Sequence, residues 1–247
     1  MKGVALVAVL LGGLLTSFAC FSSTPLNQHT LAVSQSMSAF YMYSLSEGDE
    51  RYMRQFQDHI EKADEHLQQV AEQDPLLGGE LSPQWQSVRQ QLSYDLIEGA
   101  GYILPMVVRV SFREYLSLLY KQVLEQSASE VQLATELFAM ALEVELMAAR
   151  FFDISSSEYG VMGLSMSQQV IDPKAMSAKL QQTFDRFAKM AIPRNVKRQL
   201  RSVETKWRFI EDSIVNYKDE AAFLTVYFNK QQIFKLLTQS QETMAQL

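Results

Sequence analysis

Apolar residues recur at alternating four- and three-residue intervals through most of this chain. That period admits helices and excludes sheets. The cleanest run is Val196, Leu200, Val203, Trp207, Ile210, Ile214, Tyr217, Ala221, Leu224 and Phe228. Such spacing places every member on one face of an α-helix. Pro193 precedes the run, and no Gly or Pro follows it. The pattern therefore predicts one helix from 194 to about 244, bent near 216–219 and roughly 75 Å long at 1.5 Å per residue.

The same reading covers the rest of the chain. Residues 25–73 are helical in pattern, with a seam of Phe56, Ile60, Ala63, Leu67 and Val70 and a solvated face of Asp58, Glu61, Lys62, Asp64 and Glu65. Asp74-Pro75-Leu76-Leu77-Gly78-Gly79 reads as a stop, and Ser82-Pro83 as a restart with Ser as N-cap and Pro in the first turn. A helix follows to about Glu125, with breaks expected at Gly99-Ala100-Gly101 and Pro105. Residues 129–152 carry the seam Leu133, Leu137, Met140, Val144, Met147 and Phe151. Residues 153–172 form the longest expected loop, and Asp172-Pro173 caps a helix to about Ala191.

Strand alternation is nowhere sustained; Val107-Val108-Arg109-Val110 is too short. With 10 Gly and 6 Pro in 247 residues, a turn-rich β domain is also excluded. The expected fold is all-α: an elongated antiparallel helical bundle with long N- and C-terminal helices and shorter ones between. Val88-Arg89-Gln90-Gln91-Leu92 and Val196-Lys197-Arg198-Gln199-Leu200 are alike, so two stacked modules are entertained.

The N-terminus has the parts of an export signal: Met1-Lys2, an apolar run from Val4 to Phe18, then Ala19-Cys20 and a polar stretch. Three readings stay open. Residues 1–19 are a cleaved signal peptide, Cys20 is a lipidation site, or Val4 to Phe21 is an uncleaved anchor; in each case residues 20–247 form the bundle domain. All three place that domain in the periplasm or outside the cell, with a lipid anchor through Cys20 in the second. One Cys excludes an internal disulfide framework. The best later membrane candidate, Val131 to Phe152, carries Glu136, Glu143, Glu145 and Arg150, which lipid does not tolerate at that density.

Net charge is −6, which argues against nucleic acid as a partner. Residues 47–74 hold nine acids and three bases, and residues 186–208 hold eight bases and one acid. The basic stretch reads as a contact for an anionic partner, as a solvated face, or as a complement to the acidic stretch.

Motifs for catalysis are missing. His59 and His66 are seven residues apart, about 10 Å along a helix, too far to share one metal ion without other ligands. Neither Glu-x-x-His nor His-Glu-x-x-His occurs. Gly99-Ala100-Gly101 lacks the third Gly of a phosphate loop, and Gly163-Leu164-Ser165-Met166-Ser167 lacks the second Gly of a nucleophile elbow. The chain reads as a non-enzyme with no metal and no cofactor.

One anomaly remains. Arg109 and Arg113 lie one turn apart in the apolar stripe of Tyr102, Met106, Leu116 and Tyr120, and Glu145 interrupts the stripe Ala134, Phe138, Ala141, Ala148 and Phe152. Buried guanidiniums need anions. Either Glu145 pairs with one of them, or the arginine fork holds a ligand carboxylate between Tyr102 and Tyr120, or both are simply exposed.

Leu45, Gly48, Asp49, Tyr52 and Phe56 resemble a "Leu-x-Gly-Asp-x-x-Tyr-x-x-x-Phe" phrase in the first helix of extracytoplasmic sensor domains. Those belong to bacterial chemoreceptors and histidine kinases of four-helix-bundle or helical bimodular type. One extra residue separates Leu45 from Gly48 here, and the match covers about 16 residues. The resemblance implies sensing of small organic anions by a homodimer, working through a membrane-bound signalling or envelope partner. The alternative is an envelope accessory protein whose long helices self-associate without a small ligand.

Overall fold

The computed structural model describes residues 23–92, 102–126, 133–157 and 171–245. Among them there are eight α-helices, one short 3-10 turn and no strand. The helices are α1 (Pro25–Leu45), α2 (Glu50–Gln73), α3 (Pro75–Gln91), α4 (Met106–Gln126), α5 (Leu133–Ser155), α6 (Pro173–Lys189), α7 (Arg194–Asn216) and α8 (Phe223–Ala245). The fold is a helical bundle. None of these helices is long and apolar enough to cross a membrane. The export segment, Cys20, Gly99–Gly101 and most of the expected 153–172 loop lie outside the described residues.

Helices α1 and α5 form the centre and are buried almost all round. They run parallel: Leu31 lies with Leu137 and Ala141, and Ser38 with Glu145 further along both. Small residues such as Ala32, Ser34, Ser36 and Ala39 let neighbours approach α1 from every side. Helix α2 lies antiparallel on α1 through the expected seam, with Phe56, Ile60, Ala63, Leu67 and Val70 all buried and Tyr52 extending the row by one turn. Helix α8 lies antiparallel on α5, and α7 folds back on α8.

The turn from α1 to α2 accounts for the Gly48-Asp49 pair. Gly48 has φ of +93°, a left-handed conformation that favours glycine. A Cβ there would stand 2.5 Å from the Tyr102 ring. Asp49 then caps α2 by accepting from the Arg51 amide. The sensor-like phrase therefore spans a helix–turn–helix junction rather than one helix.

Two expectations about helix boundaries are corrected. Helix α2 stops at Gln73 as expected, but the restart is not at Ser82-Pro83: Asp74 caps α3 at once, its carboxylate accepting from Leu77 N with Pro75 in the first turn. Gly78, Gly79 and Pro83 all lie inside α3. Gly78 is needed there because a Cβ would come within 2.4 Å of the Ala71 backbone, so α2 and α3 pack too closely for a side chain. Trp85 and Arg89 of α3 both donate to Asp64 of α2 and close that hairpin.

The 194–244 pattern is two antiparallel helices, not one long rod. Tyr217 takes φ of +51° and stops α7 without a glycine. Arg150 of α5 donates to its hydroxyl at 3.0 Å and holds the turn against the core. Asp219 then accepts from Ala221 N and starts the 3-10 turn (Glu220–Ala222) into α8. Val196 to Ile214 are buried as expected, but Leu224 and Phe228 are exposed. The buried row of α8 is Val226, Lys230, Ile233 and Leu237.

Candidate functional site

Two ionic clusters lie inside the bundle. The first joins α4 to the end of α5. Arg109 Nη1 donates to the Asp153 carboxylate and to the Asp153 carbonyl, each at 2.7 Å, and its Nη2 donates to Ser156 Oγ at 2.6 Å. Its guanidinium lies 5.5 Å from the centre of the Tyr41 ring. Arg113 Nε donates to the other Asp153 oxygen. Burial opposes the Arg113 cation, but the hydrogen bond and charge of Asp153 outweigh it and raise its pKa. Burial, reinforced by the Asp153 charge, raises the Tyr41 phenol well above its ordinary range. The adjoining cavity, lined by Met37, Arg113, Leu146 and Asp153 among others, measures about 20 Å³. That is room for a single water.

The arginines are therefore paired internally, but not with the expected residue. Their anion is Asp153, placed by the sequence reading at the start of a loop and found in the last turn of α5. The tyrosines do not wall them. Tyr102 packs on Gly48 and edge-on against Tyr43 at the α1–α2 turn, with ring centres 5.8 Å apart. Tyr120 is buried toward the other end of α4, beside the charge of Glu143, and burial raises its pKa. Glu143 in turn pairs with Lys179 of α6.

Glu145 belongs to the second cluster. Its carboxylate accepts from Lys230 of α8 and from Ser38 of α1, the latter at 2.7 Å. The Lys230 ammonium also lies 5.2 Å from the Tyr227 ring centre and 5.9 Å from that of Phe152. Burial lowers the Lys230 pKa, and the Glu145 charge works against that shift. Lys230 was not singled out in the sequence. The signal was present: it takes the second place in the 4-3-4 row of Val226, Lys230, Ile233 and Leu237. The longer Val196–Phe228 row masked it, because its register is broken at Tyr217.

This second pair has an opening. A cleft of about 430 Å³ between α1, α2 and α8 is lined by Gln28, Gln35, His59, Lys62, His66, Tyr227 and Gln231, and reaches Glu145 and Lys230 at its base. His59 Nδ1 is buried and has no hydrogen-bond partner. Burial, and then the nearby Lys230 charge, lower the His59 pKa to about 4, so at neutral pH it is an uncharged donor and acceptor. Lys62 stands exposed at the rim. The only hydroxyl among the lining residues, on Tyr227, is engaged with Gln55.

His29 makes a contrast with His59. Its Nδ1 lies 2.8 Å from the Ala63 carbonyl, which only accepts, so Nδ1 carries the proton and Nε2 accepts from Tyr115 Oη at 2.7 Å. The ring is fully buried against Trp85 and Tyr115, and burial lowers its pKa to about 4. It ties α1 to α2 and α4.

Arg194, Arg198 and Arg201 are exposed on α7. Among the described residues, no ion pair joins the 186–208 bases to the 47–74 acids. No family model, curated protein or solved structure matches this chain.

Proposed function

We propose that this protein is an exported, non-enzymatic, sensor-like binding protein that takes a small organic anion in the cleft between α1, α2 and α8. The observation that carries this reading is the convergence of His59, Lys62, His66 and the Lys230–Glu145 pair on one open volume of about 430 Å³. Volumes of this size suit small ligands. Glu145 is already neutralised by Lys230 and Ser38. An entering carboxylate therefore meets Lys62 and the unpartnered His59 imidazole rather than a bare negative charge.

Binding is favoured over turnover because the Tyr227 hydroxyl is committed to Gln55, which leaves no free hydroxyl nucleophile among the cleft's lining residues. Binding is favoured over self-association because the apolar row from Val196 to Ile214 is used within the chain. The apolar leader and Ala19-Cys20 support action in the cell envelope, in the periplasm or on a lipid anchor through Cys20, with a membrane-bound partner reading the occupied state.

A thermal-shift screen of acetate, butyrate, succinate and citrate against the full chain tests the reading. A saturable rise in Tm with at least one acid, lost in Lys62→Glu, is expected. No shift with any of them, or a shift unchanged in Lys62→Glu, contradicts it.

A further inference from the structure

The cleft does not end at Phe234. A second chamber of about 190 Å³ adjoins it, walled by Leu137, Phe138, Ala141, Leu237 and Thr238, with Gln241 at its far end. The two volumes share Gln28, Leu31 and Phe234, so they line up as a trough along α8 with these three side chains standing between its halves. From Lys230 to Gln241 the trough runs eleven residues of helix, roughly 16 Å. Its two ends differ in chemistry. The Lys230 end presents imidazole and ammonium groups, whereas the walls beyond Phe234 are mainly apolar. At the far end Gln241 is 4% exposed, and its Nε2 has no acceptor. A buried donor left unpaired in an open chamber marks a place for an oxygen atom.

We infer that the site takes an elongated aliphatic acid of medium chain length with an oxygen function at its far end. This rests on the reading of the cleft as an anion site. The carboxylate lies beside Lys62 and His59, the methylene stem passes Leu31 and Phe234 into the apolar chamber, and the terminal oxygen accepts from Gln241. A short dicarboxylate leaves the apolar chamber wet. A wholly apolar tail leaves the Gln241 amide unpaired.

Isothermal titration of the full chain with butyrate, decanoate and ω-hydroxydecanoate, below the concentrations at which the acids aggregate, separates the parts of this proposal. Each methylene withdrawn from water tightens binding up to about fourfold. Decanoate is therefore expected to bind at least about tenfold tighter than butyrate, with one site per chain, and ω-hydroxydecanoate tighter still. Thr238→Trp, at the less buried rim of the chamber, fills the apolar end. It is expected to bring decanoate to the level of butyrate while leaving butyrate unchanged. Gln241→Leu is expected to erase the advantage of the hydroxyl while keeping that of the chain. Thermal melts of both variants establish that they fold, and either one alone suffices for the test.

Equal affinity for butyrate and decanoate overturns the inference and leaves the anion site standing. A hydroxyl that weakens binding overturns the assignment of Gln241. Decanoate binding at many sites, or binding unchanged in Thr238→Trp, overturns the apolar chamber. No binding of any acid overturns the anion site and this inference together.

Discussion

The two buried ionic clusters differ in what surrounds them. Asp153 accepts from both Arg109 and Arg113, and the space that Arg113 and Asp153 border has room for one water. Lys230 and Glu145 are as deeply buried, 5% and 3% exposed, yet they form the base of a cleft about twenty times larger. A closed cluster has no face left for a ligand, so its role is to fix α4 against α5. An open one can polarise what enters. Burial of charge alone therefore does not locate a binding site; burial of charge beside unfilled volume does.

The largest predicted effect probes the closed cluster. Asp153→Ala leaves two guanidiniums buried without their carboxylate and is expected to cost about 3–5 kcal/mol in urea unfolding. A loss below about 1 kcal/mol would mean that water reaches the arginines and that the cluster is not closed.

His29 makes the burial of the closed core readable through pH. His29 in the closed core is held at a pKa of about 4 against an ordinary 6.5. The unfolded chain then binds a proton below pH 6.5 that the native state refuses until about 4. Stability from this group is full above 6.5 and is lost as pH falls through that window, by about 3 kcal/mol in all. Unfolding free energies measured from pH 7 to 4 should show that fall, with a shallower slope in His29→Gln. An unchanged slope would place the acid sensitivity elsewhere.

At the open cluster, Lys230→Met is expected to cost about 2 kcal/mol, less than Asp153→Ala because the cleft admits water to the abandoned Glu145. Adding Glu145→Gln should return most of it, and the difference measures the coupling of the pair. A double variant no more stable than Lys230→Met breaks the pairing.

Smaller effects follow at the periphery. Gly48→Ala forces a side chain into the left-handed region and toward Tyr102, for a cost of about 1–2 kcal/mol in the same assay. Arg198→Ala and Arg201→Ala, on the solvated face of α7, should each stay within about 0.5 kcal/mol of the parent.

The helical class was legible because the α2 and α7 seams repeat without interruption and their members are buried as spaced. The α7–α8 turn was legible only as a bend near 216–219, because Tyr217 adopts a left-handed conformation with no glycine to announce a reversal, held by Arg150 from a distant helix. Helix α3 was obscured for the opposite reason. Gly78, Gly79 and Pro83 look like breakers, but Gly78 is there for the close approach to Ala71. The need of Arg109 and Arg113 for an anion was readable from their apolar stripe. Which carboxylate met it was not, since pairing is set by how α4 and α5 cross. Lys230 shows the cost of one misplaced register: inside its own row of Val226, Ile233 and Leu237 it is as anomalous as the arginines, yet the longer row concealed it.

The central claim is that anions enter at the open cluster and not at the arginines. Calorimetric titration of decanoate into the parent chain, Lys62→Glu and Arg113→Lys tests it most directly. The account predicts one saturable site that is lost in Lys62→Glu and kept in Arg113→Lys. Binding that survives Lys62→Glu and disappears in Arg113→Lys would contradict it.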